Sequence, residues 1–178
     1  MQASGSVLTN KYAEGYPGAR YYAGCEQMDK IELIAQKRAL EAYNLDPELW
    51  GCNMQALSGA PANMYVYHAV GGPRCRILGP LLSDGGHLSH GFRTTKKNIS
   101  ATADYFESSH YKRDPITNMY EMKEIEFLLE RVKPNILIAG YSAYSHHYDY
   151  KAMKEAAKKN GALLLADMAH ISGLVSAG

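Results

Sequence analysis

The side chains able to do chemistry fall into a few short clusters. Asp167 closes the apolar run ALLLAD (162–167), and His170 follows three residues on. A carboxylate at the end of a buried strand is costly unless it is paired or hydrogen-bonded. Asp167 therefore reads as the partner of a cationic group in a crevice, with His170 facing the same pocket, or as an N-cap beside a core histidine. Ser58-Gly59-Ala60-Pro61-Ala62-Asn63 joins an extended run to a helix. Proline suits a first helical turn, and the free N–H groups and dipole of a helix start favour an anion such as phosphate. The plainer reading of Ser58 is an ordinary N-cap. Neither G-x-G-x-x-G nor a Walker loop occurs.

Asp84-Gly85-Gly86-His87-Leu88-Ser89-His90-Gly91 crowds glycine and histidine into one loop. Glycines there let backbone approach a ligand, and His87 can stack on a planar ring. The spacing of Asp84, His87 and His90 admits a metal. No H-E-x-x-H pattern accompanies it, so no metal is expected, and His90 reads as a structural hydrogen-bonding residue. His146-His147 reads as solvated. The segment NKYAEGYPGARYY (10–22) sets four tyrosines and a glutamate among Gly/Pro turns. It is either a loop that presents hydroxyls or a Tyr-rich surface loop.

A phosphate cup, a ring-stacking histidine and a strand-end aspartate together suit a phosphorylated, planar, cationic heterocycle. Pyridoxal phosphate (PLP) meets all three demands, and a flavin mononucleotide meets two. A carboxylate beside the pyridine nitrogen keeps it protonated, which makes the ring an electron sink.

These residues need elements to hold them. The chain has 178 residues, 19 Lys+Arg against 18 Asp+Glu, and is 46% hydrophobic. That excludes a strongly basic nucleic-acid binder, an acidic tail protein and wholesale disorder. Three scattered cysteines with no C-x-x-C argue against a disulfide framework. No 18-residue apolar run is present, so no membrane partner is expected, and Met1–Leu8 lacks the layout of a signal peptide. Tyr supplies 14 of the 18 aromatics.

Periodicity predicts helices over 26–44, 61–70, 120–132 and 150–159, and strands over 50–57, 76–78, 135–140 and 162–167. NILIAG and ALLLAD, apolar throughout and separated by a helix, predict a βαβ unit in a mostly parallel sheet with helices on both faces. Ligands of such α/β folds bind beyond the carboxyl ends of the strands. That points to Tyr141-Ser142-Ala143-Tyr144 and Asp167-Met168-Ala169-His170.

NKYAEGYPGARYY, QKRALEAYNLDPELWGCNMQALSGAPAN, DGGHLSHG, KKNISAT and LLLADMAHISGLVSAG closely resemble serine hydroxymethyltransferases, over about residues 6–178. The resemblance implies the fold-type I PLP architecture, like that of aspartate aminotransferase. It implies interconversion of serine and glycine with tetrahydrofolate as one-carbon acceptor. Carried over by position, Ser58, Gly59 and Ala60 hold the PLP phosphate, His87 stacks on the ring and Asp167 pairs with the pyridine nitrogen. Ser142 and His170 lie near the phenolic oxygen. Tyr12 and Glu14 reach the neighbouring subunit's site, at its phosphate and at the substrate hydroxyl respectively, and Tyr22 lines the amino-acid pocket. Residues 1–24 are then an arm segment serving the partner subunit, and 25–178 part of the PLP-binding large domain.

The resemblance further implies a homodimer or homotetramer acting on serine, glycine and folate, in the cytoplasm or, as a variant form, in a mitochondrion or plastid. Ala23 departs from the glycine usual in the family, and 74–82 is less typical than its surroundings. The Thr-rich segment with the cofactor-anchoring lysine is not among these residues, nor is the arginine for the substrate carboxylate. The chain therefore reads as a front portion of the large domain, incapable of turnover by itself. The alternative is a non-catalytic relative that binds or dimerises with a full-length copy.

Overall fold

The two apolar runs become neighbouring parallel strands in the computed structural model, which describes residues 1–178. In chain order the elements are β1 (Gly15–Tyr16), β2 (Ala19–Arg20), α1 (Glu26–Ala42), α2 (Gly59–Gly71), β3 (Arg76–Pro80), α3 (Ala101–Tyr105), β4 (Glu107–Tyr111), α4 (Met122–Val132), β5 (Ile136–Gly140), α5 (Tyr150–Lys159), β6 (Leu163–Asp167) and α6 (Ser172–Ala177). Short 3-10 turns lie at Val7–Asn10, Leu82–Asp84 and Leu88–His90. They divide into a unit of residues Ala56–Gly173 and a smaller one of Met1–Gln55 with Leu174–Gly178. No helix is long and apolar enough to cross a membrane.

The larger unit is built on a parallel four-stranded sheet of order β4-β3-β5-β6. Successive side chains of a strand point to opposite faces, and the core divides accordingly. Ile77, Ile136 and Ile138 pack with Tyr67 and Phe106 on one face. Leu78 and Leu137 pack with Ile125 and Leu129 of α4 and Met153 of α5 on the other. Each such aliphatic side chain contributes about 1.5–3 kcal/mol on burial. All of β5 is buried, whereas β6 pairs only with β5 and lies at the sheet edge. The register sets Gly140 opposite Asp167, so both strands end at one level. A Cβ at Gly140 would lie 2.2 Å from the Asp167 carbonyl oxygen, hence the glycine.

Several sequence expectations need correction. Residues 50–57 form no strand: Trp50, Met54 and Leu57 are exposed, and the Gln55 amide donates to its neighbour Asn53 Oδ1 (2.9 Å) instead of to a ladder. The helix expected over 120–132 starts at Met122, because Tyr120 is bridged to Arg113 and its side chain is engaged elsewhere. The first helix stops at Ala42, two residues early, where Asn44 turns into the left-handed region (φ 50°). β4, ESSHY, gave no apolar signal. Its buried Ser108 Oγ donates to the Gly91 carbonyl (2.7 Å), and His110 bonds the His90 carbonyl (3.2 Å).

The smaller unit is organised by Arg20. Its guanidinium, 6% exposed, bonds Asp29 and Glu32 of α1 and the carbonyls of Ala13 and Gly15, each at 2.7 Å. The Gly18 amide donates to the other Asp29 oxygen (2.9 Å). That bond first, then Arg20, holds the Asp29 carboxyl below its ordinary range. The hairpin β1–β2 is thereby fixed on α1. Ser176 Oγ donates to the Ala42 carbonyl (2.6 Å), which ties the last residues into this unit.

Candidate functional site

Beyond the carboxyl ends of β5 and β6 lies a cavity of about 280 Å³. Ser58, Gly59, Ala60 and Asn63 of the α2 start line one side, with His87, Tyr141, Ser142, Asp167, Ala169 and His170 around it. The structure thus brings together every site residue read from the larger unit's sequence: Ser58, Gly59, Ala60, His87, Ser142, Asp167 and His170.

Ser58 is the N-cap of α2 but makes no capping bond with its side chain. Its hydroxyl is left for another acceptor, beside the Gly59 and Ala60 N–H groups that a first helical turn leaves without helical partners. With the helix dipole these donors form an anion cup of backbone and hydroxyl, needing no lysine.

Asp167 Oδ2 receives two donors, His90 Nε2 at 2.9 Å and Asn63 Nδ2 at 2.8 Å. The second Asn63 hydrogen goes to Ser89 Oγ (2.9 Å), and Ser89 Oγ meets His87 Nδ1 at 2.7 Å. Because His87 Nδ1 accepts the Ser89 amide (3.2 Å), it carries no hydrogen and takes that of Ser89 Oγ. His90 Nδ1 accepts the His87 amide (3.2 Å), so His90 carries its hydrogen on Nε2 and donates it to Asp167. Burial alone would push the Asp167 carboxyl up, but the His90 and Asn63 bonds outweigh it and hold the group well below the usual carboxylate range. Burial first, and His90 second, lower the His87 pKa, so its ring is neutral at neutral pH.

The network therefore maintains a half-buried, ionised carboxylate, with a neutral imidazole on the same hydrogen-bond chain and an anion cup in the same cavity. Asp84 takes no part in it: its carboxylate accepts the Arg113 amide (3.1 Å), and both ring nitrogens of His90 are already engaged. Asp84, His87 and His90 do not converge as metal ligands. His146 and His147 are exposed.

Tyr12, Glu14 and Tyr22 belong to the smaller unit. All three are exposed, and the rings of Tyr12 and Tyr22 stack with centroids 6.0 Å apart. The Glu14 carbonyl accepts the Tyr21 amide (3.0 Å), and the Lys11 ammonium donates to the Ala23 carbonyl. These two bonds shape the loop that presents the three side chains.

The family model for serine hydroxymethyltransferase matches residues 1–178, the whole chain. The chain belongs to the serine hydroxymethyltransferase family. It is 52% identical over all 178 residues to a serine hydroxymethyltransferase of Caenorhabditis elegans. It is 53% identical to the cytosolic enzyme of Oryctolagus cuniculus and 51% to that of Saccharomyces cerevisiae, again over its full length. It spans 35–38% of the length of these relatives. The family has the fold-type I architecture of PLP enzymes, and the parallel sheet with helices on both faces is part of it.

Asn63, Ser89 and Arg20 were not singled out by the sequence. Asn63 had a usable signal: it is a polar residue one helical turn after Gly59, on a helix whose next four residues are MYVY. Ser89 and Arg20 gave none, since their partners are set by long-range folding.

Proposed function

We propose that this chain contributes the cofactor-holding face of a PLP-dependent serine hydroxymethyltransferase, which interconverts serine and glycine with tetrahydrofolate as the one-carbon acceptor. The observation that carries this reading is Asp167: a strand-end carboxylate kept ionised by two donors, in one cavity with an anion cup. Residues and group fit. Ser58 Oγ and the Gly59 and Ala60 amides would take the phosphate, the His87 ring would cover the heterocycle, and Asp167 would face the pyridine nitrogen. Ser142 and His170, on the cavity wall, would stand near the phenolic oxygen.

PLP, once bound, supplies an electron sink for the pair of electrons left when the substrate Cα–Cβ bond breaks. The chain's own residues do the rest. Asp167 holds a proton at the ring nitrogen by remaining charged. The His87–Ser89–Asn63 chain fixes the carboxylate and the imidazole in one frame. Glu14, presented to a partner subunit's site, would manage the proton at the substrate hydroxyl, help typically worth about 10² to 10⁴-fold. Tyr12 would meet that subunit's phosphate and Tyr22 its amino acid, which makes the site a property of a homodimer or homotetramer. A cytoplasmic location accords with the cytosolic relatives.

PLP is achiral, so circular dichroism in its absorption band reports a ligand held in one pose. The full chain should induce that band on titration with PLP. Asp167→Ala should abolish it, and inorganic phosphate, competing for the cup, should weaken it in the wild type. A wild-type chain with no induced band would sink the proposal.

A further inference from the structure

The reading above leaves a cluster of six tyrosines without a task. Tyr111, Tyr120, Tyr141, Tyr144, Tyr148 and Tyr150 pack edge-on or stacked, with centroids 4.5–6.5 Å apart. The Tyr120 ring stacks on Tyr148 (5.3 Å, 11°), meets Tyr111 edge-on (5.0 Å, 86°) and leans on Tyr144 (4.5 Å). If packing were the only demand, leucine and phenylalanine would meet it. The hydroxyls, however, are used. Tyr111 donates to the Ile138 carbonyl (2.8 Å) of β5, and Tyr120 donates to the Asp84 carbonyl (2.6 Å). The Tyr120 amide in turn donates to Tyr144 Oη (3.4 Å).

The Asp84 carbonyl is next to a second fixed point. The adjoining Gly85 carbonyl accepts the amides of Ser142 (2.8 Å) and Ala143 (3.1 Å). Gly85 has φ +107°, and a Cβ there would stand 2.6 Å from the Ala143 carbonyl, so the two loops touch backbone to backbone. One loop continues to His87 and the other carries Tyr141 and Ser142, all on the cavity wall. Of two consecutive carbonyls, that of Gly85 thus joins the His87 loop to the Ser142 loop and that of Asp84 is held by Tyr120.

We propose that Tyr120 is a positioning residue of this pocket: its hydroxyl, braced by the tyrosine cluster, sets the turn at Asp84-Gly85 and through it the places of His87 and Ser142. Only the identity of the bound ligand rests on the PLP reading; the clamp itself does not. Tyr120→Phe keeps the ring and removes the bond to Asp84. Tyr150→Phe, at the cluster's rim against Tyr148 (5.8 Å), is the control.

The first measurement is amide hydrogen exchange of the ligand-free full chain. In Tyr120→Phe the Ser142 and Ala143 amides should exchange about fivefold faster, the equivalent of one lost neutral hydrogen bond, and in Tyr150→Phe they should be unchanged. The second is PLP titration by induced circular dichroism, where Tyr120→Phe should raise Kd several-fold and change the band shape. Unchanged exchange at Ser142 and Ala143, or equal acceleration in both variants, overturns the clamp. If Tyr120→Phe does not fold, Tyr144→Phe removes only the acceptor of the Tyr120 amide and is read in the same way. A wild-type protein that binds no PLP yet shows the exchange pattern would refute the cofactor reading and support the clamp.

Discussion

Asn63→Leu removes both donors of one amide while nearly conserving volume. Asp167 Oδ2 would keep only His90, and Ser89 Oγ would lose its donor. A hydrogen bond to a charged group contributes about 1.5–3 kcal/mol and a neutral one about 0.5–1.5. The two together predict a loss of about 2–4 kcal/mol at pH 7, read as the shift in urea unfolding free energy of the full chain. The pH dependence separates this account from simple loss of packing. The folded Asp167 carboxyl titrates below its unfolded value, so its stabilisation is present above the unfolded pKa and is lost as pH falls toward the folded one. With an unfolded Asp near pKa 3.9, the wild type should lose about 1 kcal/mol from this group between pH 5 and pH 3. In Asn63→Leu the carboxyl returns toward its ordinary range, so the gap between the proteins should narrow, by at most that amount because His90 remains. A gap below about 0.5 kcal/mol at pH 7, or one that stays constant down to pH 3, would refute the reasoning.

Gly85→Ala should cost about 1–3 kcal/mol from backbone strain at its positive φ, and more from the approach to the Ala143 carbonyl, and should lower Tm without a change in helix content. Arg20→Met should release the 13–20 hairpin from Asp29 and Glu32, and limited proteolysis should cut the variant there while the wild type stays intact. In a protein that joins these residues to the segment with the cofactor-anchoring lysine, Glu14→Gln mixed with Asp167→Asn should recover activity that neither variant has alone, because a mixed dimer would hold one undamaged site. Absence of recovery after verified subunit exchange would count against a shared site.

The strand that ends on Asp167 and the one that leads to Ser142 were legible because their apolar runs are continuous and the helix between them is strongly amphipathic. The helix Tyr150–Lys159 was placed to the residue. β4 was not legible, since a polar strand is buried only when distant carbonyls satisfy it, as Gly91 and His90 satisfy Ser108 and His110. Residues 50–57 misled because Trp, Met and Leu there look like strand core yet lie exposed. At the site, residue types named the participants: a Ser at a helix start, a His in a glycine loop, an Asp at a strand end. Sequence could not supply the wiring between them. The Asn63–Asp167 bond joins residues 104 positions apart, and the hydrogen on His90 Nε2 follows only from what its other nitrogen accepts. The tyrosine excess showed in the composition, but its clustering around Tyr148 did not.

Asp167 is the last residue of β6, beside the end of β5. A carboxylate at the end of a strand has no ladder beyond it, and a side chain left free there would sample several rotamers. Both strong tethers of Asp167 come instead from elsewhere, Asn63 on α2 and His90 on the glycine loop. The charge is moored crosswise to its own strand. The place of Oδ2 is thereby set by α2 and the loop as much as by the strand that supplies the residue.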